Sequence, residues 1–195
     1  MSDNLESLPD IAENRKARKW TRRELFGRLL WDVLKGPLFS WTPRQFWVWR
    51  RIVLRLFGAR IARHVQIYPS VKIAVPWNLA VGESSAIGDG AIIYSLGPVT
   101  LGERVTVSQY AHLCAGSHDY RDPSLPLTKP SIEIGDGAWI CAEAFVAPGV
   151  SVGARAIVGA RAVTTHDVPD DQIVAGNPAR MIRMRPPMRG VGTND

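Results

Sequence analysis

From Ile61 onward the aliphatic residues of this chain fall six apart: Ile61, Ile67 and Ile73, then Val81, Ile87 and Ile93, then Leu101, Val107 and Leu113, then Ile134, Ile140, Val146, Val152 and Val158. Four positions after each stands mostly a small or β-branched residue, such as Val65, Ser85, Ala111, Ala138 or Ala162. Glycine often follows the aliphatic residue directly. A helix repeats near 3.6 residues and a strand at two, so neither accounts for six. A short strand plus a tight bend does, stacked so that each coil buries the aliphatic row of the next. The pattern predicts an all-β solenoid over 59–183.

The breaks in phase carry further information. Ile73 to Val81 and Ile93 to Leu101 are steps of eight, and Leu113 to Ile134 is a step of twenty-one. Each break follows three hexads. If three hexads make one coil of a triangular prism, all insertions share a corner, and the third is a protruding loop over 119–133. Insertions on one edge of a solenoid commonly build its binding face. With hexad positions one and five facing inward, position six faces outward, which puts His112, His118 and Trp139 on the surface. His118 closes the third coil at the root of the loop.

Upstream the period is helical. Leu25, Phe26, Leu29, Leu30, Val33 and Leu34 predict one helix ending at Gly36–Pro37. A second is expected from Thr42 as N-cap, Pro43 at the first position and Gln45 in a capping box, running to Phe57 with Gly58 as C-cap. These helices, within 21–58, are expected to pack on the solenoid or on a neighbouring subunit, with a weak peripheral membrane contact as the second reading. Residues 1–20 read as a flexible basic arm and 184–195 as a flexible tail.

A chain of 195 residues fits one domain. Its net charge of +6 is concentrated in 15–28, in 50–63 and near the C-terminus. Such charge suits phosphates, but no nucleic-acid signature accompanies it, so a nucleic-acid partner is not expected. Two cysteines, Cys114 and Cys141, have no metal-type spacing and read as packing residues of a protein from a reducing compartment. No apolar leader and no membrane-spanning window is evident, so a cytoplasmic location is expected, with the inner face of a membrane as an extension of it.

The hexads resemble the left-handed β-helix acyltransferases. The run DGAWICAEAFVAPGVSVGARAIVGARAVTTHDVPDDQIVAGNPARMIR resembles that family's closing signature. SQYAHLCAGSHDY, with QIYPSVKI and PWNL upstream, is similar to the branch of colanic-acid and exopolysaccharide acetyltransferases. The resemblance covers roughly 22–185. It implies a left-handed prism, a homotrimer, and acetyl-CoA bound in clefts between neighbouring prisms. It also implies transfer of acetyl to a sugar hydroxyl, free or lipid-linked, with no metal.

The family histidine matches His118, which the resemblance makes the general base. An imidazole suits that task because its ordinary pKa of about 6.5 lies near working pH. Asp119, adjacent, and Glu143, one coil on, are the candidates to orient it; Ala142 or Gly116 is the candidate oxyanion donor. Trp139 is expected to wall the pantetheine channel. Gly159, Ala160, Arg161 and the AGNPAR run with Asn177 are expected along the cofactor, with Arg161, Arg180 and Arg183 toward its phosphates. His166 stands where the family often has Lys. Ser95, near the place of an acceptor-binding Asn, is expected to bind substrate with His112 and Tyr120. Competing readings are an amino acceptor, a zinc lyase using His64, His112 and His118, and a non-catalytic scaffold.

Overall fold

The computed structural model describes residues 11–17 and 19–187. The hexads form a parallel β-solenoid of about 6 turns, preceded by helices. Face one stacks Arg60–Ile61, Leu79–Val81, Val99–Leu101, Ile132–Ile134 and Ser151–Val152. Face two stacks Gln66–Ile67, Ala86–Ile87, Thr106–Val107, Trp139–Ile140, Ile157–Val158 and Gln172–Ala175. Face three stacks Lys72–Ile73, Ile92–Tyr94, His112–Cys114, Phe145–Val146 and Val163–Thr164.

The hexad code follows from this stacking. Position one points inward: Ile67, Ile87, Val107, Ile140 and Val158 are at most 1% exposed. Position five lies at the narrow corner, so Ala111, Ala144 and Ala162 fill it completely. Position four makes the bend, with φ between 54° and 58° at Ser84, Arg104, Tyr110, Glu143, Arg155 and Arg161. This left-handed conformation costs a non-glycine residue roughly 1 kcal/mol, which the row burial on either side offsets. On face one, position two is glycine in successive coils because the coils approach closely there: a Cβ on Gly102 would lie 2.2 Å from Asp136 Oδ1.

All three insertions lie between a face-three strand and the next face-one strand, as the one-corner reading expected. The first is the 3-10 turn Pro76–Asn78. The third is an antiparallel hairpin, Ser117–His118 with Leu127–Thr128.

The helices close one end. Each coil's N–H groups donate to the following coil, as Gln66 N does to Ser85 O at 2.9 Å and Ala86 N to Val105 O at 2.9 Å. The first coil is therefore left with carbonyls facing off the end. Helix α2 (Arg22–Lys35) and helix α3 (Trp47–Leu56) supply the donors. Trp31 Nε1 donates to Ile73 O at 2.8 Å, Arg50 Nε to Ile67 O at 2.7 Å, Arg51 to Val65 O at 2.9 Å and Arg55 Nε to Ile61 O at 2.8 Å. An open sheet edge is a template for unwanted pairing, and arginines blunt it here. At the other end the antiparallel strand Arg180–Met184 covers Gln172–Ala175.

Four expectations are corrected. The second helix begins at Trp47, not near Pro43. The fully buried Arg50 guanidinium takes Thr42 Oγ1 at 2.9 Å and the carbonyls of Pro43 and Arg44, which keeps 42–44 out of a helix. The capping box stands instead at Thr21 and Glu24, where Glu24 N donates to Thr21 Oγ1 at 3.2 Å. Gly36–Pro37 does not end the helical path, which continues as a π-type turn Gly36–Ser40. The arm and tail are docked where described. Ile11–Lys16 forms helix α1, and Asn14 Nδ2 donates to Ser124 O at 2.7 Å. Lys129 Nζ lies 3.5 Å from the Trp20 ring centre, and Arg185 donates to Gly137 O at 3.0 Å and Arg155 O at 2.8 Å. Residues 1–10, Arg18 and 188–195 lie outside the described residues.

Candidate active site

His118 is exposed on the hairpin that leaves the solenoid between faces three and one. Its Nδ1 lies 2.6 Å from Leu125 O, across the hairpin. A carbonyl oxygen only accepts, so Nδ1 carries the proton and Nε2 keeps its lone pair. Leu125 itself holds φ of 46°, with its N–H donating to Asp122 O at 2.8 Å. The loop thus spends a strained residue on aiming one carbonyl at the imidazole.

Within one chain neither expected carboxylate reaches that ring. Asp119 Oδ1 accepts from Arg121 N at 3.0 Å, closing its own turn. Glu143 accepts from Arg161 Nε at 2.6 Å, and that hydrogen bond holds its carboxyl below the ordinary carboxylate range. The orienting group is a backbone carbonyl, for which residue types carry no signal.

Ser95 is also corrected. It is completely buried, its hydroxyl donating to Val75 O at 2.9 Å and accepting from Val75 N at 3.0 Å, so it braces the first insertion instead of facing the surface. His112 is half-buried on face three, edge-on to Tyr94 and Phe145 at 6.4 and 5.2 Å, with Nε2 buried and unpartnered. Tyr120 is fully exposed near the hairpin tip, beside Arg121.

The residues expected to hold a cofactor separate into groups. Ala142, Glu143, Gly159, Ala160 and Arg161 line one corner, where each coil turns from face two to face three, and Asn177 follows them there after Ala175. Small residues at that corner keep it shallow: a Cβ on Gly159 would meet the Ala175 methyl at 2.9 Å. Arg180 and Arg183 stand exposed on the closing strand of face two. Trp139 projects from the same face with Nε1 donating to Ser108 Oγ at 2.9 Å, at the side of a cavity of about 400 Å³ that Arg155 and Arg185 also line. His166 is set apart, exposed at the corner that also bears the hairpin. The structure therefore does not join His118 to the Gly159 corner or to Trp139 within one chain.

Burial pushes the thiols of Cys114 and Cys141 above their ordinary value, which suits packing groups and not nucleophiles. Among the described residues no three His, Cys, Asp or Glu side chains converge on a common point.

No family model matches the chain. WcaF of Escherichia coli K12, named for colanic acid biosynthesis acetyltransferase activity, is 40% identical over 156 residues, which span 80% of this chain and 86% of that protein. The chain belongs to the hexapeptide-repeat acetyltransferases, in their colanic-acid branch. Galactoside O-acetyltransferase of the same organism is 25% identical over 142 residues, 69% of this chain and 68% of the relative. Two solved structures share the fold of this acetyltransferase, the left-handed parallel β-helix. One is a hexapeptide-repeat acetyltransferase from Vibrio cholerae in complex with acetyl-CoA, at 24% identity and TM-score 0.77 over 96% of this chain and 100% of that one. The other is a galactoside acetyltransferase with coenzyme A, at 22% identity and TM-score 0.77 over 90% of each chain.

Three features of the site escaped the sequence. The Leu125 carbonyl is backbone, Asn14 lies in a segment without periodicity, and the Arg161–Glu143 pair joins residues 18 apart whose meeting depends on coil stacking.

Proposed function

We propose that this acetyltransferase moves the acetyl group of acetyl-CoA onto a sugar hydroxyl of an exopolysaccharide unit or its lipid-linked precursor, with His118 as general base. The observation that carries the reading is the Nδ1 contact to Leu125 O, which leaves Nε2 free to accept a proton at an exposed position. His118 Nε2 takes the proton as the acceptor oxygen attacks the thioester carbonyl. The tetrahedral adduct collapses by breaking the C–S bond, and the imidazolium returns its proton to the departing CoA sulfur. No covalent acyl-enzyme is needed, which agrees with the half-buried cysteines, whose thiols desolvation pushes up.

The corner at Ala142, Gly159, Ala160 and Asn177 has the shallow, small-residue lining a pantetheine arm needs, and Arg180 and Arg183 stand exposed near it for phosphates. Arg161 is less suited to that task, because Glu143 already occupies its Nε. His118 and this corner belong to different edges of the prism. A working site therefore needs the edge of a second copy, which supports the homotrimer.

Thiol release from acetyl-CoA with a panel of sugar and amino acceptors tests the reading. Sugar-dependent release that falls on the order of 10² to 10⁴-fold in His118→Ala supports it. Unchanged turnover in that variant removes the base assignment, and release only with amines removes the acceptor class.

A further inference from the structure

The outer faces of the two N-terminal helices reverse the usual rule that a surface helix turns its charges outward. On α2 the buried side chain is Trp31. On the opposite side, Leu25, Phe26, Leu29, Leu30 and Val33 are between 41% and 68% exposed. On α3, Arg50, Val53 and Leu54 face the solenoid, while Val48, Trp49, Ile52 and Leu56 are between 42% and 81% exposed. The two faces meet: Phe26 and Leu30 from α2 and Leu56 from α3 line one groove of about 560 Å³ floored by Trp77. Single exposed apolar residues are ordinary, but a contiguous apolar face marks an interaction surface.

Charge selects the occupant. Residues 20–58 hold eight Arg and Lys against two Asp and Glu, an excess as large as the +6 of the whole chain. Arg50, Arg51 and Arg55 are engaged by the carbonyls of the first coil or its flank, Lys35 pairs with Asp32 and Arg44 with Tyr68, and Arg22 and Arg23 stand exposed beside the apolar faces. An identical copy seated here would bring the same positive excess against it. A bilayer with anionic head groups matches both features, taking rings and aliphatic groups at the acyl boundary and Arg and Lys among the phosphates. Among the described residues no helix is long and apolar enough to cross a membrane, so the contact lies in the interfacial plane.

We propose that the outer faces of α2 and α3 dock on an anionic lipid bilayer. The inference stands apart from the acetyl-transfer reading, and its test does not use catalysis as its readout. Full-length protein is floated with vesicles of phosphatidylcholine alone or with one third phosphatidylglycerol. Flotation with the anionic vesicles, released by high salt, supports docking. Phe26→Glu combined with Leu29→Glu weakens partitioning by about tenfold or more, with the melting temperature kept. Leu56→Glu, on the other helix and 81% exposed, repeats the test should the double variant not fold. No flotation with anionic vesicles, or variants that float like the parent, overturns the proposal. So does an oligomer that falls apart in these variants, which would make the face a contact between copies.

Discussion

His118 and Asn14 meet at one atom. The imidazole Nδ1 lies 2.6 Å from Leu125 O, and the Asn14 carboxamide donates to that same oxygen and, at 2.7 Å, to Ser124 O. A helix at the start of the chain thus grips the loop carbonyl that sets the tautomer of the proposed base. Second donors of this kind fix orientation without touching substrate.

Asn14→Ala therefore lowers kcat by about fivefold, the worth of one hydrogen bond of ~1 kcal/mol, and leaves KM for acetyl-CoA unchanged. Asn14→Asp, which keeps the shape and loses the donor, does the same. Steady-state kinetics beside a melting curve check it. A merely structural role would move the melting temperature and leave kcat alone.

His112 is expected to contribute to acid sensitivity. Burial pushes its imidazole below the ordinary histidine value, and its buried Nε2 has no partner. Above pH of about 6.5 both folded and unfolded chains hold it neutral, and it contributes nothing to the slope. As pH falls through 6.5 the unfolded chain binds a proton that the folded chain refuses, so stability is lost on acidification until the folded value is reached. His112→Phe, packed between Tyr94 and Phe145, flattens the decline between pH 6.5 and 5 in urea melts. A decline as steep as the parent's would show that other groups cause it.

The fold was far more legible than the site, for a physical reason. Rows such as Ile67, Ile87, Val107 and Ile140 each meet the same environment one coil apart, so one constraint is written many times. The single corner of insertions followed by counting alone. Thr42 misled because its local pattern is that of an N-cap, while the buried Arg50, eight residues on, claims its hydroxyl. Ser95 misled because the resemblance set it near the place of an acceptor-binding Asn, while its hydroxyl turns in toward the Val75 backbone. His118 was found through its phase and the motif it matches. Its orienting partner was not, since a carbonyl belongs to every residue.

The cysteines are expected to be silent. Cys114 and Cys141 are half-buried and their thiols are pushed up by desolvation, so little thiolate exists near neutral pH. Ellman's reagent at pH 7 reacts slowly with native protein and fully after denaturation. Cys114→Ala combined with Cys141→Ala retains kcat within about twofold, because small residues suit these hexad positions. A large loss of kcat at unchanged stability would restore a nucleophilic role.

Arg50 is the costliest arginine to remove. It is completely buried, and its donors serve Ile67 O, Thr42 Oγ1, Pro43 O and the Arg44 carbonyl. Arg50→Met keeps much of the volume but strands those acceptors, each at about 1 kcal/mol or more. We expect a loss of roughly 3 kcal/mol and a fall in melting temperature on the order of 10 °C for a chain of this size. Arg50→Lys recovers part of it, because an ammonium has three donors without the planar fork that reaches around the turn. Arg55→Ala also uncaps first-coil carbonyls, Ile61 O and Ala62 O, but at an exposed position where water replaces the lost donors. Its cost is expected at about 1 kcal/mol or less. Equal losses in Arg50→Met and Arg55→Ala would mean that burial does not set the strength of these caps.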